Sequence, residues 1–103
     1  MSRMSNDSIN PDHYKSETSL ECIEAMELVF GQKAVFDFCI CNAWKYIWRW
    51  KNKNGIEDLD KANWYVKHAC MYLDVLSISN DSHSMLSRMN DYISVQKYSL
   101  IAN

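Results

Sequence analysis

Asn42, Lys45, Arg49 and Lys53 recur at intervals of three and four residues, with Tyr46 among them. On a helix that spacing stacks side chains on adjacent turns of one face. Lys and Arg supply charge and N–H donors for phosphate oxygens, and Tyr supplies a stacking face. The chemistry within reach of such a stripe is capture of a nucleotide or another phosphate-bearing ligand. A solvated face of an amphipathic helix carries the same pattern, so spacing alone leaves both readings open. Trp44, Trp48 and Trp50 crowd the same segment, and Trp64 follows on the next. Four indoles exceed what so small a core can take. Trp44, with apolar neighbours, is expected inside. Trp48, at the edge of the stripe, is placed to stack a base or anchor a protein partner.

Other groups offer less. His13-Tyr14-Lys15 puts an imidazole that titrates near neutrality beside a cation and a ring. Such a group can bind phosphate or move a proton, and an ordinary surface histidine looks the same. Glu57, Asp58 and Asp60 cluster at the expected start of a helix. There they would complement the dipole, pair with the basic stripe or hold a hydrated Mg²⁺. Cys22, Cys39, Cys41 and Cys70 are expected to be buried thiols rather than bridges in a reducing compartment. Cys39 and Cys41 point roughly 200° apart on a helix, as do His68 and Cys70, so no closed zinc set forms and no metal site is expected.

Composition narrows the field. The chain has 103 residues, 48% of them hydrophobic, which fits one domain with a modest core. It holds two glycines, Gly31 and Gly55, and one proline, Pro11. Strand-rich folds need more turn residues than that, and neither a Rossmann loop nor a P-loop can be written with them. Eleven basic against thirteen acidic residues give a net charge of −2, which argues against a general DNA binder. No apolar run approaches the ~20 residues of a membrane span. The polar stretch Met1–Pro11 lacks a signal-peptide core, so a cytoplasmic location is expected.

The elements that must position the stripe are helical. Residues 1–16 read as a flexible, extended N-terminal arm, and residues 17–103 as a single helical domain. A first helix over Ser19–Phe30 repeats Leu20, Ile23, Met26 and Phe30 at helical spacing and stops at Gly31. A second over Ala34–Lys53 carries the apolar positions Val35, Phe36, Cys39, Ile40, Ala43, Trp44, Ile47 and Trp50 on one broad face and ends at Asn54-Gly55. A third runs from Ile56 to about Ile78, and a fourth over His83–Ile101. The fold class is all-α, a small bundle of about four helices.

The ordered blocks Asn10-Pro11-Asp12-His13-Tyr14-Lys15, Glu21-Cys22-Ile23, Asn42 through Arg49, Glu57 through Ala62 and Trp64-Tyr65 resemble a small phage protein family of uncharacterised function. A related segment occurs in a podophage nucleotide kinase that acts on deoxynucleoside monophosphates. The resemblance covers about residues 10–68 and leaves the C-terminal helix, about 82–102, as a divergent addition. It implies ligand-binding roles for His13, Tyr14, Asn42, Lys45, Tyr46, Arg49, Asp58, Lys61 and Tyr65, and the residue reading adds Lys15 for phosphate and Trp48 for stacking. The implied function is a phage nucleotide-binding protein in nucleotide metabolism. If an enzyme, it would transfer phosphoryl groups to nucleoside monophosphates, with Mg²⁺ accompanying the nucleotide. The alternative is a non-catalytic inhibitor of a host factor, or an anti-defence sponge for a signalling nucleotide, anchored by Trp48, Trp50 and Trp64. The apolar surface left over predicts a homo-oligomer in the host cytoplasm, with the third or fourth helix at the contact.

Overall fold

The computed structural model describes residues 11–102, with side chains from Leu20 onward. Among these residues there are four helices and no strand: α1 (Pro11–Phe30), α2 (Gln32–Arg49), α3 (Ile56–Cys70) and α4 (Asn80–Ala102), with a 3-10 turn at Trp50–Asn52 after α2. This is the all-α architecture that the periodicity predicts.

The boundaries differ from expectation in instructive ways. The first helix begins at Pro11, so residues 11–16 belong to α1 rather than to an arm. Proline is pre-shaped for a first helical position. Residues 1–10 of the expected arm lie outside the described residues. The third helix stops at Cys70 instead of Ile78. Met71, Tyr72 and Leu73 each donate a backbone N–H to the carbonyl three residues back, which tightens and ends the helix. Leu73, Leu76 and Ile78 can then pack against the core instead of following a straight helix into solvent. Ser79 caps α4: its hydroxyl accepts the backbone N–H of Ser82 at 3.4 Å.

Small residues decide how the helices meet. Ala43 on α2 and Ala62 and Ala69 on α3 are completely buried, alongside Val35, Cys39, Leu59 and Val66. α2 and α3 form an antiparallel hairpin, with Arg49 paired to Asp58 at the turn and Phe38 meeting Tyr65 further along. α4 packs on this hairpin through Leu86, Met89 and Ile93. Each such side chain contributes about 1.5–3 kcal/mol by leaving water. The divergent C-terminal helix is thus a structural member of the core. The domain is a slab of about 40 × 38 × 17 Å, one helix pair thick. Its large apolar groups cannot all be covered: Trp44, expected inside, is exposed, and so is Phe30. Trp44 falls on the shoulder of α2, because the close seam made by Ala43 and Ala62 has no space for an indole. Cys22, Cys41 and Cys70 are exposed as well, and only Cys39 is the buried thiol expected. Burial pushes the Cys39 thiol up to about 11.

Two glycines make the tight links. Gly31 has φ 93° and Gly55 φ 59°, backbone states that side chains with a Cβ rarely adopt. Gly55 also donates its N–H to the Trp50 carbonyl at 2.9 Å, closing the turn between α2 and α3. A Cβ at Gly55 would meet nothing within 4 Å, so its cost is conformational alone. Gly55→Ala is expected to lower stability by about 1–2 kcal/mol in urea denaturation, with the midpoint shifted and the slope unchanged.

Candidate functional site

The turn that Gly55 closes holds the one buried carboxylate among the described residues, Asp58, which is fully inaccessible. A buried charge must be paired and hydrogen-bonded, and Asp58 meets both conditions. Its Oδ2 accepts Arg49 Nε at 3.3 Å and the backbone N–H of Asn54 at 3.3 Å. Its Oδ1 accepts Arg49 Nη2 at 3.4 Å and Asn54 Nδ2 at 3.4 Å. Two donor forks therefore meet one carboxylate. Burial alone would raise the Asp58 carboxyl, but the bonds from Arg49 and Asn54 outweigh it and hold the group below its ordinary value of 3.8. With both oxygens taken by nitrogen donors, Asp58 is unsuited to hold Mg²⁺. Of the roles its position suggested, orienting Arg49 is the one the geometry fits.

Arg49, fixed on that side, lies over the Tyr46 ring with Cζ 4.8 Å from its centroid. Lys45 Nζ stands 4.7 Å from the same ring and Lys61 Nζ 5.6 Å. Tyr46 is itself stacked on Tyr65, with centroids 6.1 Å apart and planes 11° from parallel. The hairpin thereby gathers five of the predicted residues, Lys45, Tyr46, Arg49, Lys61 and Tyr65, around one aromatic floor with Asp58 beneath. Lys61 reaches Glu57 at 3.8 Å, a long contact between partly exposed groups worth little in water. Lys45 has no carboxylate partner among the described residues. Asn42 is half-buried on α2, one turn before Tyr46. Trp48 is 76% exposed and leans on Trp44, with centroids 6.1 Å apart. Trp44, Lys45, Trp48 and Arg49 line a shallow concavity of about 450 Å³. The side chains of His13, Tyr14 and Lys15 lie outside those described. Trp50, expected as an exposed anchor, is buried and donates Nε1–H to Tyr92 Oη at 3.1 Å.

Sequence reasoning passed over three features. Asn54 read as a helix stop, yet it supplies half of the Asp58 donors; an Asn four residues before an Asp at a helix start was the available signal. Tyr65 continues into a ladder of rings through Trp64, His68 and Tyr72, whose hydroxyl donates to Glu27 Oε1 of α1 at 2.5 Å. Burial and the Glu27 carboxylate push the Tyr72 phenol from 10.0 up to about 12. Nothing local joins Glu27 to Tyr72, so no pattern could have found that bond. The third feature is a cleft on the other flank of α2, between it and α4. Among the described residues no group of three His, Cys, Asp or Glu side chains is placed to hold a metal ion.

The carboxylate at the turn sets a pH dependence. A depressed carboxyl stabilises the fold above its unfolded value and loses that stability as pH falls through the folded value. Asp58 therefore contributes fully at neutral pH, and its contribution fades in acid below about 3.8. Asp58→Ala is expected to cost about 2–3 kcal/mol at pH 7, because it leaves the Asn54 N–H and the Arg49 fork without their acceptor. Denaturation profiles of the variant and the wild type should converge as the solution is acidified.

A family model, described as a protein of unknown function (DUF3310), matches residues 9–67. We found no match among curated proteins or solved structures. The family match takes in the hairpin turn, the three cations around Tyr46, and Tyr65, and it stops short of α4. On a match that spans more than half of its length, the chain belongs to the DUF3310 family, small proteins whose function is not known.

Proposed function

We propose that the protein binds a nucleotide or a related phosphate-bearing small molecule on the α2–α3 hairpin face. The observation that carries this reading is the convergence of Lys45, Arg49 and Lys61 on the Tyr46 ring, with Lys45 unpaired among the described residues. Asp58 pairs with Arg49 and Glu57 with Lys61, so Lys45 carries the uncompensated charge of this floor, and phosphate oxygens match the donors gathered there. The exposed Trp48 and Trp44 rings border the same concavity and offer a stacking face for a base. The protein is phage-encoded, acts in the cytoplasm of the host and serves nucleotide metabolism in the manner of a nucleotide kinase. Any phosphoryl transfer would rest on positioning and charge neutralisation by these cations.

One observation favours binding without turnover, as an anti-defence sponge for a signalling nucleotide. Asp58, the one fully buried carboxylate among the described residues, is saturated by donors and so is no general base. Direct inhibition of a host protein would use Trp48 and Trp64 as anchors, without the buried Trp50. Self-association belongs to the same proposal. Leu28, Val29 and Phe30 at the end of α1, and Tyr98 and Ile101 late in α4, are each at least 70% exposed. Apolar surface of that kind is best covered by a second copy.

Titration with mono-, tri- and cyclic nucleotides, read by tryptophan fluorescence, is expected to give saturable binding below millimolar ligand. Lys45→Ala should weaken it roughly tenfold without loss of helicity. A cyclic nucleotide recovered unchanged from a tight complex selects the sponge, and no binding by any nucleotide at millimolar concentration removes the proposal. Sedimentation of the full chain should give a mass at least twice 12.1 kDa.

A further inference from the structure

α2 has two unlike flanks. Toward α3 it presents Asn42, Tyr46 and Arg49, and toward α4 it presents Ile40, Trp44, Ile47 and Trp48. On the α4 side these residues wall a cleft of about 700 Å³, closed below by Trp50 and Tyr92 and on the far side by Met85 and Met89. A volume of 300–1,000 Å³ with apolar and aromatic walls and few polar groups is the usual form of a small-molecule site. The cationic face described above lies toward α3; it shares the Trp44 and Trp48 rings with the cleft, whereas Lys51, Met85, Arg88, Met89 and Tyr92 belong to the cleft.

Its polar groups are few and of one sign. Lys51 and Arg88 are the charged residues that line it, both exposed, and no Asp or Glu does. Neither cation has a carboxylate partner among the described residues. Tyr92 Oη accepts the Trp50 N–H, which leaves the phenolic proton free to donate. The α4 wall runs from Met85 to Tyr92, roughly 10 Å at 1.5 Å per residue. That suits one compact ligand better than a docked helix, which would need a longer groove.

We propose that this cleft binds an amphipathic organic anion: a planar apolar body between the Trp44 and Trp48 rings on one side and the two methionines on the other, with a carboxylate, sulfonate or phosphate held by Arg88 and Lys51. Met side chains adapt to irregular apolar bodies, and a guanidinium at the rim fixes the anionic end.

The test uses the full chain and the probe 8-anilinonaphthalene-1-sulfonate, an aromatic sulfonate. Saturable binding with one site per chain is expected. Arg88→Gln should weaken it roughly tenfold, Arg88→Lys should restore most of it, and the neutral analogue 1-anilinonaphthalene should be nearly indifferent to both. Lys45→Ala should leave sulfonate binding unchanged, which separates this cleft from the nucleotide face. Absence of saturable binding would overturn the inference. So would an equal loss of charged and neutral probes on Arg88→Gln, or a loss of sulfonate binding on Lys45→Ala. If sedimentation shows that probe binding requires dissociation of a dimer, the cleft is an interface between copies and the inference fails.

Discussion

A single carboxylate with no access to water organises the cationic face of the α2–α3 hairpin. Asp58 would be intolerable in the core as an isolated charge, since desolvating it costs several kcal/mol. It is tolerated because four N–H groups from Arg49 and Asn54 surround it. That requirement ties the last turn of α2 to the first turn of α3 and fixes the direction in which Arg49 leaves its helix. Arg49 then covers one part of Tyr46, and Lys45 and Lys61 take the rest of the ring. The cationic face is thus a consequence of neutralising a buried charge. Its floor, Tyr46 on Tyr65, joins a run of rings that ends at the Tyr72–Glu27 bond and so reaches α1.

The thin slab explains why so much of the molecule looks outward. The alanines of the α2–α3 seam let two backbones approach closely, which packs the hairpin well but leaves no depth for large side chains. Indoles that a thicker domain would bury sit on the shoulders of α2 instead. Trp44 and Trp48 adjoin the cations on one side and form a wall of the α4 cleft on the other. The family match includes these indoles and the hairpin turn but not α4, whose Met85, Met89 and Tyr92 complete the cleft. The cationic face and the cleft therefore differ in their relation to the family: one lies within the matched segment, and the other needs the helix beyond it.

Much of this was legible in the residues. The scarcity of glycine and proline excluded strands, and repeats of three and four residues located every helix and the buried positions Ile23, Val35, Cys39, Ala43, Leu59, Val66, Leu86 and Ile93 lie within them. The stripe of Lys45, Tyr46 and Arg49 was visible for the same reason, because a helix brings neighbours in sequence onto one face. Element ends were less legible. Pro11 starts a helix where a polar stretch suggested an arm, and α3 stops at Cys70 because 3-10 bonds and core packing of Leu73 compete with apolar periodicity.

By itself the sequence determined the class of fold, the amphipathic faces and the candidate cations, since all of these follow from local spacing along a helix. Tertiary structure alone decided which partner each group meets. Arg49 could have pointed to solvent, but the Gly55 turn brings Asp58 beneath it. Trp44 could have entered a core, but the alanine seam excludes it. Lys61 and Tyr65 join Tyr46 because α3 runs antiparallel to α2 at close range. The distance between two helices depends on side chains far apart in the chain, and periodicity within either helix carries no record of it.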